Sequence, residues 1–329
     1  MSTVYKEANI KVLPIISKTK AERPIWSVVI PAYNRGDLLT ECLKSVVPQF
    51  LHKEPSLYEI WVVDDCSQEN LATIVSQYGS GIVQYYRQPK NVGQLNNFET
   101  CLNLTSGQLI HLLHSDDTVN DGFYREIESP LLENDTIGAA FCRHNYIDEY
   151  GKIINTSEQL KEDAGVLHDF LYDIASRQLI QTPSIVVKRS VYEAIGGFNK
   201  SLSWCEDWEM WIRIATQYQF WYIPQVLANY RIHGNSNTGS SDKNARFIVD
   251  VLACINYVQT YLPFEQKKNL CIQQNAKRAF LSFSLRKIAA FLKSSNTTQA
   301  RFLIVKSLKL CTNSRDVMHL CKIYLKSFF

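Results

Sequence analysis

Along the first half of the chain, short continuous apolar runs alternate with segments whose apolar residues recur at helical spacing. Trp26-Ser-Val-Val-Ile30 is the first such run; ended by Pro31, it reads as a buried parallel strand. Leu38, Leu39, Cys42, Leu43, Val46 and Val47 then fall on one helix face, with Asp37 placed to cap its start. Tyr58–Val63, Val83–Tyr86 and Leu109–Leu113 repeat the strand pattern, while Leu71–Gln77 and Leu95–Leu104 repeat the helical one, the latter closed by Gly107. Strand and helix at this spacing predict an α/β fold built on a mainly parallel sheet. In such sheets ligands bind beyond the carboxyl ends of the strands.

The alternation weakens after Gly138. Ala139–Asn145 and Ile153–Ile154 flank a turn at Glu149-Tyr-Gly, Ser184–Val187 reads as one more strand, and Val191–Ile195 as a short helix ended by Gly196-Gly197. Trp208, Trp211, Ile212 and Ala215 start a helix near Asp207, and from Lys243 onward the pattern is helical. The expected organisation is a tail over 1–24, an α/β domain over 25–240 and a helical extension over 241–329.

Composition narrows the picture. With 46% apolar and 20% charged residues in 329, the chain has a core and is not disordered. None of its nine cysteines sits in a CxxC pair, so no zinc cluster or dithiol motif is visible. An odd cysteine count and an N-terminus without a signal-like apolar stretch lead to the expectation of a cytoplasmic protein with reduced thiols. No apolar run approaches the ~18 residues a membrane span requires.

Charge adds one asymmetry. The net charge is +3, but Ala276–Phe329 holds eleven Lys/Arg and one acid, so this stretch carries +10 and the rest −7. Two readings stay open for it. One is a peripheral surface that meets anionic lipid at the inner face of the plasma membrane; the other is an ordinary helical cap with solvated lysines. Nothing in it resembles a nucleic-acid-binding module.

The chemistry-bearing residues cluster at element ends. Four stretches stand out: Ser27-Val-Val-Ile-Pro-Ala-Tyr-Asn-Arg35, Val62-Val-Asp-Asp-Cys-Ser67, His114-Ser-Asp-Asp117 and Cys205-Glu-Asp-Trp-Glu-Met-Trp211. In this order, linked by Asn91-Val-Gly93 and Ser106-Gly107, they resemble a family 2 glycosyltransferase with the GT-A fold over roughly Trp26 to His233. That resemblance implies an inverting enzyme that moves a sugar from a nucleotide-diphosphate donor to an acceptor hydroxyl. A divalent cation, Mn²⁺ or Mg²⁺, would neutralise the departing diphosphate, and a carboxylate would take the acceptor's proton.

Carried onto this chain, the resemblance makes Asp207 the base, at a helix N-terminus whose dipole favours an ionised carboxylate, with Glu206 beside it. Asp64 and Asp65 would anchor base and ribose, with Pro31, Ala32 and Tyr33 as the facing wall; Cys66 stands where the family usually has glycine. Asp117 would bind the metal, and Asp116 the ribose or the metal's water shell; His114 replaces the family's usual first acid. His233 would complete the metal or diphosphate site, and Arg231 could hold the diphosphate instead. Gly197 would let the donor sugar approach, whereas Phe98 occupies the place of an arginine that touches the nucleotide. The plain alternative for each acid pair is helix capping.

These departures leave the donor open among UDP, dTDP and GDP types. The acceptor would be a saccharide or a lipid-linked one, in bacterial cell-surface polysaccharide or glycolipid synthesis. Two rivals are a nucleotidylyltransferase and a non-catalytic sugar-nucleotide-binding scaffold. The first needs a Gly-rich basic loop where Ala32-Tyr-Asn-Arg35 stands; Asp117 and Asp207 speak against the second.

Overall fold

The computed structural model describes residues 15, 23–234 and 245–328. Its first strands are β1 (Trp26–Ala32), β2 (Tyr58–Asp64), β3 (Val83–Arg87) and β4 (Leu109–Leu112), with α1 (Gly36–Val46), α2 (Leu71–Tyr78) and α3 (Gln94–Leu104) between them. The strands lie in the order β3-β2-β1-β4 and are all parallel. Alternation along each strand feeds two cores: Val28, Ile30, Ile60 and Val62 enter one, Val29, Val63 and Ile110 the other. Burial on both faces is why β1, β2 and β4 read as largely apolar runs. Asp37 is not the cap of α1. Arg35 holds that position in a left-handed conformation (φ 64°), and Asp37 lies in the first turn, where its charge still suits the helix dipole. Gly107 lets β4 start against β1, since a Cβ there would come within 2.6 Å of the Ser27 backbone nitrogen.

Beyond β4 the sheet also takes in antiparallel strands. It adds β5 (Thr118–Val119), β6 (Ile137–Ile147), β7 (Ile153–Thr156), β8 (Gly165–Val166), β9 (Ile185–Lys188) and β10 (Gln219–Arg231). β9 inserts antiparallel between β4 and β6, while β10 runs parallel to β6 and antiparallel to β5 and β8. The antiparallel pairing of β6 with β7 has a local cause. A turn closed by Gly151 N–H to Asp148 C=O joins them, and so short a link permits only antiparallel pairing. The helices α4 (Phe123–Glu133), α5 (Phe170–Ser176), α6 (Arg189–Ile195) and α7 (Glu206–Ala215) complete this part.

The C-terminal helices are α8 (Arg246–Val258), α9 (Gln266–Lys293), α10 (Thr297–Ser307) and α11 (Ser314–Lys326). Their apolar faces join the core that holds α3 and α7: Phe280 meets Trp208 at a ring separation of 5.1 Å. The expected boundary at 240/241 falls within 235–244, outside the described residues, as does the tail over 1–24 apart from Ile15, Arg23 and Pro24. No described helix is long and apolar enough to cross a membrane.

Candidate active site

The carboxyl ends of β1, β2 and β4 and the N-termini of α3 and α7 face one cleft of about 440 Å³. Pro31, Ala32 and the exposed Tyr33 form one wall. Asp65 sits opposite, its N–H donating to the Ala32 carbonyl at 2.8 Å. Its carboxylate accepts from the Val92 and Gly93 backbone N–H groups at 2.7 and 2.9 Å, so it fixes the Asn91-Val-Gly93 turn that opens α3. Asp64 behaves differently. It is fully buried, does not line the cleft, and accepts from Ser67, Tyr85 and Arg87. Cys66 between them has φ 62°, a left-handed conformation that L side chains adopt only at a cost and glycine adopts freely.

The second group follows β4. His114, Asp116 and Asp117 offer ligand atoms within 4.8 Å of one another. Asp117 Oδ1 accepts the Arg231 N–H at 2.8 Å, but its buried Oδ2 has no hydrogen-bond partner, and neither does His114 Nε2. Burial, and then the charge of Asp116, push the Asp117 carboxyl well above its ordinary range. Burial lowers the His114 pKa and keeps its imidazole neutral, as a metal ligand must be. Asp116 is held ionised: burial works against its charge, but the His233 hydrogen bond and the nearby histidines outweigh it. An orphaned carboxylate oxygen, a neutral imidazole and two adjacent acids together fit a divalent cation.

His233 reaches this group indirectly. Its Nε2 lies 2.9 Å from Asp116 Oδ2 and its Nδ1 lies 3.3 Å from Arg35 Nη2. With the arginine donating, the ring proton sits on Nε2 and points at Asp116. His233 thus orients a candidate ligand, the usual partnership of carboxylate and imidazole behind a metal.

The third group opens α7. Asp207 is half-buried, with Oδ1 accepting the Trp208 N–H at 2.6 Å and Oδ2 accepting Gln178 Nε2 at 3.0 Å. Burial lifts its carboxyl to about 6, although those two bonds pull it down. Glu206 is buried more deeply, takes one bond from Gln94, and is pushed to about 8 by burial and then by the charge of Asp207. Near neutral pH the pair therefore carries its charge on Asp207. Trp204 lines the cleft just before the helix, its ring packed among Phe247, Phe280 and Phe283 of the C-terminal helices.

Comparison with known proteins settles the kinship. The family model described as "Glycosyl transferase family 2" matches residues 27–193. The chain belongs to this family. A chondroitin synthase of Escherichia coli is 22% identical over 232 residues, which span 68% of this chain and 31% of that one. Among solved structures, Staphylococcus aureus TarS 1–349 in complex with UDP-GlcNAc superposes with a TM-score of 0.63 at 15% identity, covering 92% of this chain and 88% of that one. The mannosyltransferase PcManGT of Pyrobaculum calidifontis, in complex with GDP-Man and Mn²⁺, gives 0.57 at 15% identity, covering 98% and 85%. At these identities the structural likeness speaks for the fold.

Within this family 2 glycosyltransferase, the cleft gathers Pro31, Ala32, Tyr33, Asp65, Asp116, Glu206, Asp207, Arg231 and His233. Asp117 lies just beneath it. Besides Asp64, two residues expected to meet the donor are directed at protein instead. Gly197 faces the core, where a Cβ would meet the side chains of Ile15 at 3.2 Å and Leu102 at 3.5 Å. The guanidinium of Arg231, expected at the diphosphate, is buried and directed at protein: Nε to the Asp116 carbonyl, Nη1 to the carbonyls of Asp148 and Glu149, Nη2 to Glu41. Phe98, in the arginine's place, does line the cleft, stacked on His114 at 5.2 Å. Sequence reasoning passed over Gln94 and Gln178, whose amides hold the two acids of α7. No local signal marks them, because each comes from a remote loop or helix start.

Proposed function

We propose that this glycosyltransferase is an inverting enzyme that uses a nucleotide-diphosphate sugar, with Asp207 as the base. One observation carries the reading: an ionised carboxylate at a helix N-terminus shares a single cleft with the His114–Asp116–Asp117 group. The nucleotide lies along Pro31, Ala32, Tyr33 and Asp65, with the Phe98 ring giving an apolar surface nearby. Asp117, Asp116 and His114 would hold a divalent cation, Mn²⁺ or Mg²⁺, which when bound supplies positive charge for the departing diphosphate. His233 keeps Asp116 oriented. Asp207, aimed by Gln178 and the Trp208 N–H, takes the proton of the acceptor hydroxyl as that oxygen attacks the anomeric carbon from the opposite side. Trp204 offers its ring edge to the incoming saccharide. Likeness to a chondroitin synthase supports a polysaccharide acceptor and a role in bacterial cell-surface synthesis.

Metal binding separates the two roles assigned here. By Mn²⁺ calorimetry, Asp117→Ala should weaken binding more than about 100-fold, and His233→Ala about 10- to 100-fold as the loss of a supporting bond. Wild-type Mn²⁺ affinity in Asp117→Ala would refute the site.

The basic C-terminal surface supports contact with an anionic membrane. Phe302, Val305, Val317, Met318, Leu325 and Phe328 are exposed large apolar residues on α10 and α11 or just beyond. Exposed Lys309, Arg315, Lys322 and Lys326 are interleaved with them, the combination that docks helices on acidic lipid. The full chain is expected to sediment with phosphatidylglycerol vesicles but not with phosphatidylcholine vesicles, and to be released by salt. Equal partition between the two lipids would argue for a solvated cap instead.

A further inference from the structure

A second cavity, of about 290 Å³, lies beside the catalytic cleft. Three arginines line it, from three separate parts of the fold: Arg143 on β6, Arg177 just after α5 and Arg286 on α9. Glu158 is the only carboxylate among its described lining residues, so the wall holds an excess of positive charge. Arg143 clamps the Ser157 carbonyl through Nε and Nη2 at 3.2 and 2.9 Å, and Arg177 Nη1 bonds Glu158 at 2.6 Å. These bonds fix the loop after β7 as one side of the cavity. Arg286 forms another side, its guanidinium 6.0 Å from the Phe283 ring and its charge acting on Tyr146.

Two side chains connect this cavity to the proposed base or its cleft. Gln178 lines the cavity and donates to Asp207 Oδ2 at 3.0 Å. Tyr146 lines it too and hydrogen-bonds Gln181, which lines the catalytic cleft. A group seated there is one side chain away from the carboxylate that deprotonates the acceptor. Guanidinium groups recognise carboxylate and phosphate in bidentate fashion, whereas a neutral sugar gains little from a wall with an excess of positive charge. We propose that this cavity is an acceptor subsite for an oxyanion: the carboxylate or phosphate of a charged saccharide. The inference rests on the reading of Asp207 as the base on the acceptor side.

Saturation-transfer NMR on the full chain tests it, with glucuronic acid, glucose 6-phosphate and glucose as probes. At least one charged sugar should bind where glucose does not, and the better of the two names the oxyanion. Arg286→Glu should weaken that binding about tenfold or more, the loss of one charge-assisted bond, and Arg286→Lys should restore part of it. Equal binding of glucose and the charged sugars, or unchanged affinity in Arg286→Glu, overturns the subsite. Should Arg286→Glu melt below the wild type, Arg177→Ala on another segment serves in its place, and unchanged affinity there is equally decisive. The two readings fail separately. If Asp207→Asn leaves transfer intact while charged-sugar binding still needs Arg286, the base assignment falls and the subsite stands.

Discussion

Asp207→Asn should lower the rate of sugar transfer by about 10²–10⁴-fold, the usual contribution of a positioned general base. The substitution is close to isosteric, and the site can absorb it. The Trp208 N–H keeps an acceptor oxygen, and Gln178 Nε2 keeps the Ile180 carbonyl as its acceptor, so only the bond from Gln178 to the former Oδ2 is given up. Melting temperature should therefore match the wild type, which separates lost chemistry from lost fold. The same assignment fixes a pH profile. Only the ionised carboxylate accepts a proton, so wild-type turnover should rise with pH through about 6, where burial places Asp207, and level off above it. Fresh product should carry the anomeric configuration opposite to the donor's, as read by proton NMR. Transfer in Asp207→Asn within about tenfold of wild type would remove this residue from the mechanism.

Glu209→Ala should destabilise the fold by about 3–5 kcal/mol, the loss that follows when one partner of a buried ion pair is removed. Glu209 and Arg213 lie one helical turn apart on α7, nearly inaccessible, with Nε to Oε1 at 3.0 Å. Burial disfavours the Arg213 charge, yet the Glu209 carboxylate more than offsets it and raises the pKa. Arg213 also donates to the carbonyls of Ile195 and Gly197, and Glu209 accepts the Tyr261 hydroxyl at 3.0 Å. The pair thus ties α7, the glycine loop before it and the C-terminal part into one unit. Chemical denaturation should show the midpoint falling sharply. A double replacement by apolar residues of similar volume should cost far less, since no charge is then left buried alone. Near-wild-type stability in Glu209→Ala would mean the ion pair does not hold these parts together.

Much of the fold was legible because its signals are local. The strands of the parallel half carry mostly apolar residues, and β1 to β4 were readable to within one or two residues. The pairing of later strands was not. β9 and β10 find partners far away in sequence, and whether they run parallel or antiparallel depends on how connections cross the sheet. Short elements such as β5, β8 and α5 carry too few residues to show a period.

The site divides the same way. The sequence by itself determined the acids at strand and helix ends and the family they resemble, whereas the left-handed backbone at Cys66 emerged only in the fold. Tertiary structure decided what each polar group is free to do. Asp64 and Arg231 look like ligand-binding residues in one dimension, but their hydrogen-bonding atoms are directed at protein. His114, an apparent departure from the motif, lies within ligand distance of Asp116 and Asp117, and burial lowers its pKa, which suits a candidate metal ligand. Gln178 reaches Asp207 across 29 residues of sequence. Residue type and spacing select candidates, whereas burial and hydrogen-bond saturation depend on neighbours that only the folded chain brings within a few ångströms.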